Sequence, residues 1–261
     1  MRILWSEWIK TKRTPIRWLV FLMPVIFSGF IIWYYSNLTI KADVQISIFQ
    51  TFFEIWSVLI IPLGAGLISG LMIHQEELAG SFNGLLGAKL QRRDLYLGKL
   101  AIIILCVSVS TLIAVVTLGV GLVFILNISI TWWIFIVSAI MLIIGMLPLL
   151  AFHLWISFAW GMGASIGIGG GGMLIAALMV TSLGDKVWKF VPWAWPVRLS
   201  ILPGAYLLYK LGMKYPPELV SSGYIINQIL EGLIPTLTLF IVMLICGIIW
   251  FKKWEGRKVY E

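Results

Sequence analysis

Between Leu100 and Gly184 the sequence runs for 85 residues without one Asp, Glu, Lys or Arg. Soluble domains average about 25% charged residues, so no water-exposed fold hides such a block. A helix needs about 20 apolar residues to cross the ~30 Å hydrocarbon core of a bilayer. The block is too long for two crossings and suits three joined by short turns. Asn127-Ile-Ser-Ile-Thr131 and the region from Ser157 to Gly163 supply the breaks. Three is an odd number, so the chain leaves this block on the side opposite to its entry.

The remainder of the chain agrees. Its 261 residues are 61% hydrophobic and 11% charged, with a mean hydropathy of +1.01. This is the composition of an all-α polytopic membrane protein, read as a single transmembrane domain over residues 1–261. Six transmembrane helices are expected near 18–36, 52–73, 99–126, 132–156, 163–182 and 229–251. Gly66 and Gly70 give the second span a small edge for close packing.

Residues 1–17 combine Trp5, Trp8 and Ile9 with Lys10, Lys12 and Arg13, the mixture of an interfacial elbow helix, ended by Pro15. No small-residue cleavage site follows, so the segment is not read as a signal peptide. Six crossings put both termini on one side. The N-terminal segment, the stretch through Lys99 and the C-terminal tail hold thirteen of the nineteen Lys and Arg residues. The positive-inside rule places that side in the cytosol. The same placement assigns the net charge of +8 to topology and anionic head groups of membrane lipids, not to nucleic acid.

Several chemistries lack their residues. No Gly-x-x-x-x-Gly-Lys-Ser/Thr loop occurs, so ATP-driven work needs a second polypeptide. His74 and His153 stand without partners at metal-ligand spacing. Cys106 and Cys246 fall in apolar runs and are packing residues. Glu54 and Glu231 lie near the outer ends of their spans, and no ionisable residue is expected at mid-membrane, which argues against a proton-coupled carrier. No catalytic residue and no metal site are expected.

Three segments carry candidate sites. Gly163, Gly167 and Gly171 lie four apart, which reads as a helix-packing ridge or as a broken helix around a substrate path. Residues 183–228 form an extracellular or re-entrant segment. Within it Trp188, Trp193, Trp195 and Arg198 suit either contact with an amphiphile at the outer leaflet or a plain aromatic belt. Residues 74–98 form a polar island between spans 2 and 3. There Leu78, Phe82, Leu85 and Leu86 recur at helical spacing opposite a charged face, a helix able to dock on a cytosolic protein.

An elbow, six spans, an island opening with Glu76-Glu77-Leu78-Ala79-Gly80-Ser81-Phe82 and a long outer segment resemble the type 2 ABC exporter permeases. Pro192-Trp-Ala-Trp-Pro196 and Trp254-Glu-Gly-Arg-Lys258 are similar to the lantibiotic-immunity permeases of the MutE/EpiE and MutG kind. The resemblance implies a multi-pass protein of a bacterial plasma membrane, paired with a second, similar permease over an ABC ATPase dimer. It implies ATP and Mg bound by that ATPase, no cofactor on this chain, and a lantibiotic-type peptide as cargo. It also implies that Glu76, Glu77, Leu78, Phe82, Leu85 and Leu86 couple to the ATPase, so charge reversal at Glu76 and Glu77 should uncouple hydrolysis from export. An exporter of drugs or lipid-linked polysaccharide, or a non-transporting amphiphile sensor, would share much of this sequence pattern.

Overall fold

A computed structural model describes residues 2–38, 44–80, 82–87, 90–208, 218 and 222–257. Ser81 and Lys258, which figure in the reading above, lie outside the described residues. The described residues are predominantly helical, with no strand among them. Helix α1 spans Arg2–Lys10, α2 Pro15–Ser36, α3 Val44–Leu78, α4 Asn83–Leu86, α5 Arg92–Phe124, α6 Trp132–Val180, α7 Trp195–Ile201 and α8 Tyr224–Lys253. Of these α2, α3, α5, α6 and α8 are long and apolar enough to cross a membrane.

Local chemistry sets the boundaries. Pro15 opens α2, where a missing N–H costs nothing. Helix α3 begins at Val44, before the expected 52, and reaches Leu78. Its Trp56–Ile60 turn is wound as a π-helix immediately before Pro62. A proline inside a helix removes one hydrogen bond and crowds the preceding turn, and a π-bulge is a usual way to absorb such a misfit. Helix α5 ends at Phe124 and α6 begins at Trp132, so the expected break at 127–131 is present.

The second break lies at Gly161, whose φ of 88° and ψ of −177° are not helical. His153 Nδ1 and Ser165 Oγ are 3.1 Å apart, whereas twelve residues of continuous helix would separate them by about 18 Å. Helix α6 is therefore two arms, 132–160 and 162–180, folded back on each other at Gly161. The second arm lies antiparallel to α3. A Cβ on Gly66 would sit 2.6 Å from Ser165 O, and one on Gly70 2.9 Å from Met162 Cγ. A Cβ on Gly169 would come 2.7 Å from Pro62 O. The close edge expected of Gly66 and Gly70 thus meets the second arm of α6.

The ridge expected on that arm does not pack within this chain. Gly163, Gly167 and Gly171 point into open space, with nothing within 4 Å of an added Cβ. The packed face is the neighbouring one, through Ser165, Gly169 and Gly172.

Two aromatic layers close the bundle. Phe27, Phe49, Phe52, Phe53, Trp56 and Phe135 interlock at one level, with Trp56 Nε1 donating to Thr111 Oγ1 at 3.2 Å. At the other end Tyr96, Phe158, Phe251 and Trp254 stack together beneath the polar island.

Candidate functional site

The α1 elbow, the end of α3, the start of α5 and the C-terminal tail meet at one end of the bundle. Their charges close on each other. Lys99 Nζ lies 2.6 Å from Glu7 Oε2 and 2.7 Å from Glu76 Oε1. Lys10 Nζ completes the ring, 2.8 Å from Glu7 Oε1 and 2.7 Å from Glu76 Oε1. Glu7 is 4% and Lys99 1% exposed. Two ammoniums alternate with two carboxylates, so each buried charge is compensated twice. Charges buried this deeply persist only when paired and hydrogen-bonded.

Burial works to lower the pKa of Lys10, but hydrogen bonds to Glu7 and Glu76, with their charges, hold it above the ordinary lysine value. The ring ties α1 to the ends of two membrane helices. Arg17 fixes the elbow further, its guanidinium 5.0 Å from the Trp8 ring centre and its Nε donating to Thr11 Oγ1 at 3.3 Å.

Beside the ring the island doubles back, which corrects the expected amphipathic helix over 78–86. Gly80 has φ of 117° and Phe82 φ of 69°, so the chain turns twice before α4 begins at Asn83. Leu78 ends α3 and stands 73% exposed, while Phe82 and Leu85 are buried. The four apolar residues therefore do not share one face. Phe82 packs on Trp254, ring centres 5.0 Å apart, and Arg257 lies 5.5 Å above its ring. Arg257 Nη2 reaches Glu77 Oε2 at 2.7 Å, and His74 Nδ1 lies 3.2 Å from the same oxygen. Arg92 binds the tail carbonyl of Trp254. Glu76 and Glu77, expected to face a partner, are engaged within this chain. Leu78, Asn83, Gly84, Leu90 and Arg93 are among the residues that face outward.

At the opposite end the tryptophan segment is built inward. Trp188 and Trp195 are buried against Ala194 and Leu199, and Trp195 Nε1 donates to Lys189 O at 3.0 Å. Trp193 fills the gap at Gly172 and meets Phe152 edge-on. Arg198 donates to Met179 O at 2.8 Å and Thr181 O at 3.0 Å, closing the C-terminal end of α6, and pairs with Asp185 at 2.9 Å. Lys189 pairs with Glu231 of α8. These four candidate residues hold the segment together.

A family model described as ABC-2 family transporter protein matches residues 3–169, well over half of the chain. The chain belongs to the ABC-2 family of transporter proteins. No curated protein and no solved structure matches it. As an ABC-2 family member it is a multi-pass membrane component of a transporter and not itself a catalyst, and the family implies an ABC ATPase as its partner. The matched region of this transporter takes in the elbow, the island and the first arm of α6. It therefore holds every member of the charge ring.

Glu7, Lys10, Lys99, Arg257 and Gly161 were missed as site residues at the level of sequence. Glu7 and Lys10 stand three apart on a helix, a visible pair. Lys99 is the last charge before the apolar block. Nothing local points Arg257 at Glu77, because that contact exists only when the tail folds back.

Proposed function

We propose that this chain is the permease of an ATP-driven exporter, moved by a separate ABC ATPase that docks on the outward surface around Leu78, Asn83, Gly84 and Leu90. The chain crosses the bilayer six times, the two arms of α6 counting separately, with both termini in the cytosol. ATP and Mg are held by the ATPase dimer, and a second permease, similar but not identical, completes the pore. The charge ring supports this reading most directly. It welds the elbow, α3 and α5 into one body beside the docking surface, so a push on the island moves three elements together.

The cargo is a lantibiotic-type antimicrobial peptide, expelled from the membrane for self-protection or resistance. Two motifs support this, Pro192-Trp-Ala-Trp-Pro196 and Trp254-Glu-Gly-Arg-Lys258. Burial of Trp188 and Trp195 weighs against the amphiphile sensor, which needs those rings at a surface. Sensitive bacteria expressing the permease with its partners should withstand several-fold more lantibiotic than cells with an ATPase-dead complex. Equal killing of both, with the complex intact in the membrane, rejects the cargo. Purification of the permease without any ATP-binding chain rejects the mechanism.

A further inference from the structure

A groove opens sideways between α2 and α3, toward the hydrocarbon. Its walls include Trp18, Leu22, Ile26, Leu67 and Leu71, its mouth is formed by Arg13, and its volume is about 670 Å³. A narrower recess of about 130 Å³ continues it inward past Gly64 to Trp56 and Ser110. Leu19, Met23 and Leu67 line both, so the two are continuous. An apolar groove open to the hydrocarbon is covered either by lipid or by another protein surface.

The mouth differs in character from the walls. Arg13 is exposed, has φ of 66° and makes no ion pair among the described residues. Left-handed backbone is uncommon for a residue other than glycine, and here it turns the chain from α1 into α2. Lys12 beside it is also exposed, whereas Arg17 is already occupied by Trp8 and Thr11. No carboxylate lines the groove. Glu7, the nearest acid in sequence, is committed to Lys10 and Lys99.

Length completes the picture. Pro15 to Ile26 rises about 16 Å along α2, close to half of the ~30 Å hydrocarbon core. That is the depth of one leaflet. Trp18, 69% exposed, stands one turn below the mouth, at the level where aromatic side chains anchor to the interface. We propose that this groove is a binding site for one anionic glycerophospholipid, an acyl chain lying along α2 and α3 and the phosphate held by the Arg13 guanidinium. Arginine's planar fork matches a phosphate in a way that a lone ammonium does not. A zwitterionic lipid would bring a second cation toward Lys12 and Arg13. A second copy of this chain is a poorer occupant: its exposed small-residue stripe, Gly163, Gly167 and Gly171, falls in the block with no acid to meet Arg13.

The test is native mass spectrometry of the full chain in mild detergent, with phosphatidylglycerol and phosphatidylcholine of identical chains in competition. Wild type should retain one phosphatidylglycerol several-fold over phosphatidylcholine. R13Q should abolish the preference. G64L, which fills the recess with a residue better suited to a helix, should reduce retention of both lipids. R93Q, an exposed cation away from the groove, should leave the preference intact. Photoreactive phosphatidylglycerol should label wild type within residues 13–26 or 60–71, a readout that needs no variant to fold. Preference surviving R13Q, or labelling elsewhere, overturns the site. So does a disulfide between two M23C copies in phosphatidylglycerol bilayers, since it puts protein where the acyl chain belongs.

Discussion

Lys99 is the last charge before 85 uncharged residues, and it is the residue on which the ringed end of the fold turns. Its ammonium is 1% exposed and held by two carboxylates at 2.6 and 2.7 Å. Removing one member of a buried ionic set leaves the others uncompensated and costs about 3–5 kcal/mol. K99M should therefore lower thermal stability in detergent by that order, far more than K253M on the exposed end of α8. A melting curve of K99M matching wild type would mean that the ring does not exist in solution. Lys10 is half outside the ring and its effect is smaller. Because its pKa is raised, its contribution is complete below the ordinary value of 10.5 and is lost only as pH rises through the higher folded value. K10Q should lower the melting temperature at pH 8, and the gap to wild type should narrow above pH 10.5. A gap that instead opened on alkalinisation would contradict the pairing.

At the scale of elements, Gly161 separates what periodicity predicts from what it cannot. Its φ of 88° with ψ of −177° belongs to a region that is essentially glycine's alone. A Cβ there would also sit against Arg257 Nη1. G161A should cost about 1–3 kcal/mol from backbone strain alone, and more from displacing the arginine. Shortening the arginine as well, in G161A/R257A, should restore the second part, so the two losses should fall short of additive in a double-mutant cycle. Additive losses would place Arg257 elsewhere.

The break itself was legible, because 85 uncharged residues cannot be two helices and a glycine-rich stretch lies where a turn is needed. The π-helical turn before Pro62 was not, since a proline shows that a helix must adjust but not how. The island misled for a related reason. Leu78, Phe82, Leu85 and Leu86 keep helical spacing, yet Gly80 and Phe82 adopt positive φ and split them between α3 and α4. Spacing reports a face only where the backbone stays helical.

For the whole molecule, the charge ring and the tail contacts of Arg92 and Arg257 bear on where the proposed ATPase would act. Contacts such as Glu7 to Lys99, 92 residues apart, are invisible to any local pattern, and they turn the acidic start of the island inward. This changes how docking must be probed. Reversing Glu76 would set three cations together, Lys10, Lys99 and the new one, so its failure would report a collapsed fold instead of a lost partner. Leu78 offers the cleaner test. It is 73% exposed and ends a membrane helix. A carboxylate in its place would be buried unpaired beneath a docked partner, and a defect of about 2 kcal/mol is about thirtyfold in affinity. L78E should therefore leave the melting temperature and membrane insertion of the permease unchanged while the ATPase is lost from the purified complex. L85E, which buries a charge beneath α4, should instead unfold the island and lose both. If L78E kept its ATPase and its transport while L85E failed, the island would be structural, and the ATPase would have to bind through the elbow or the tail.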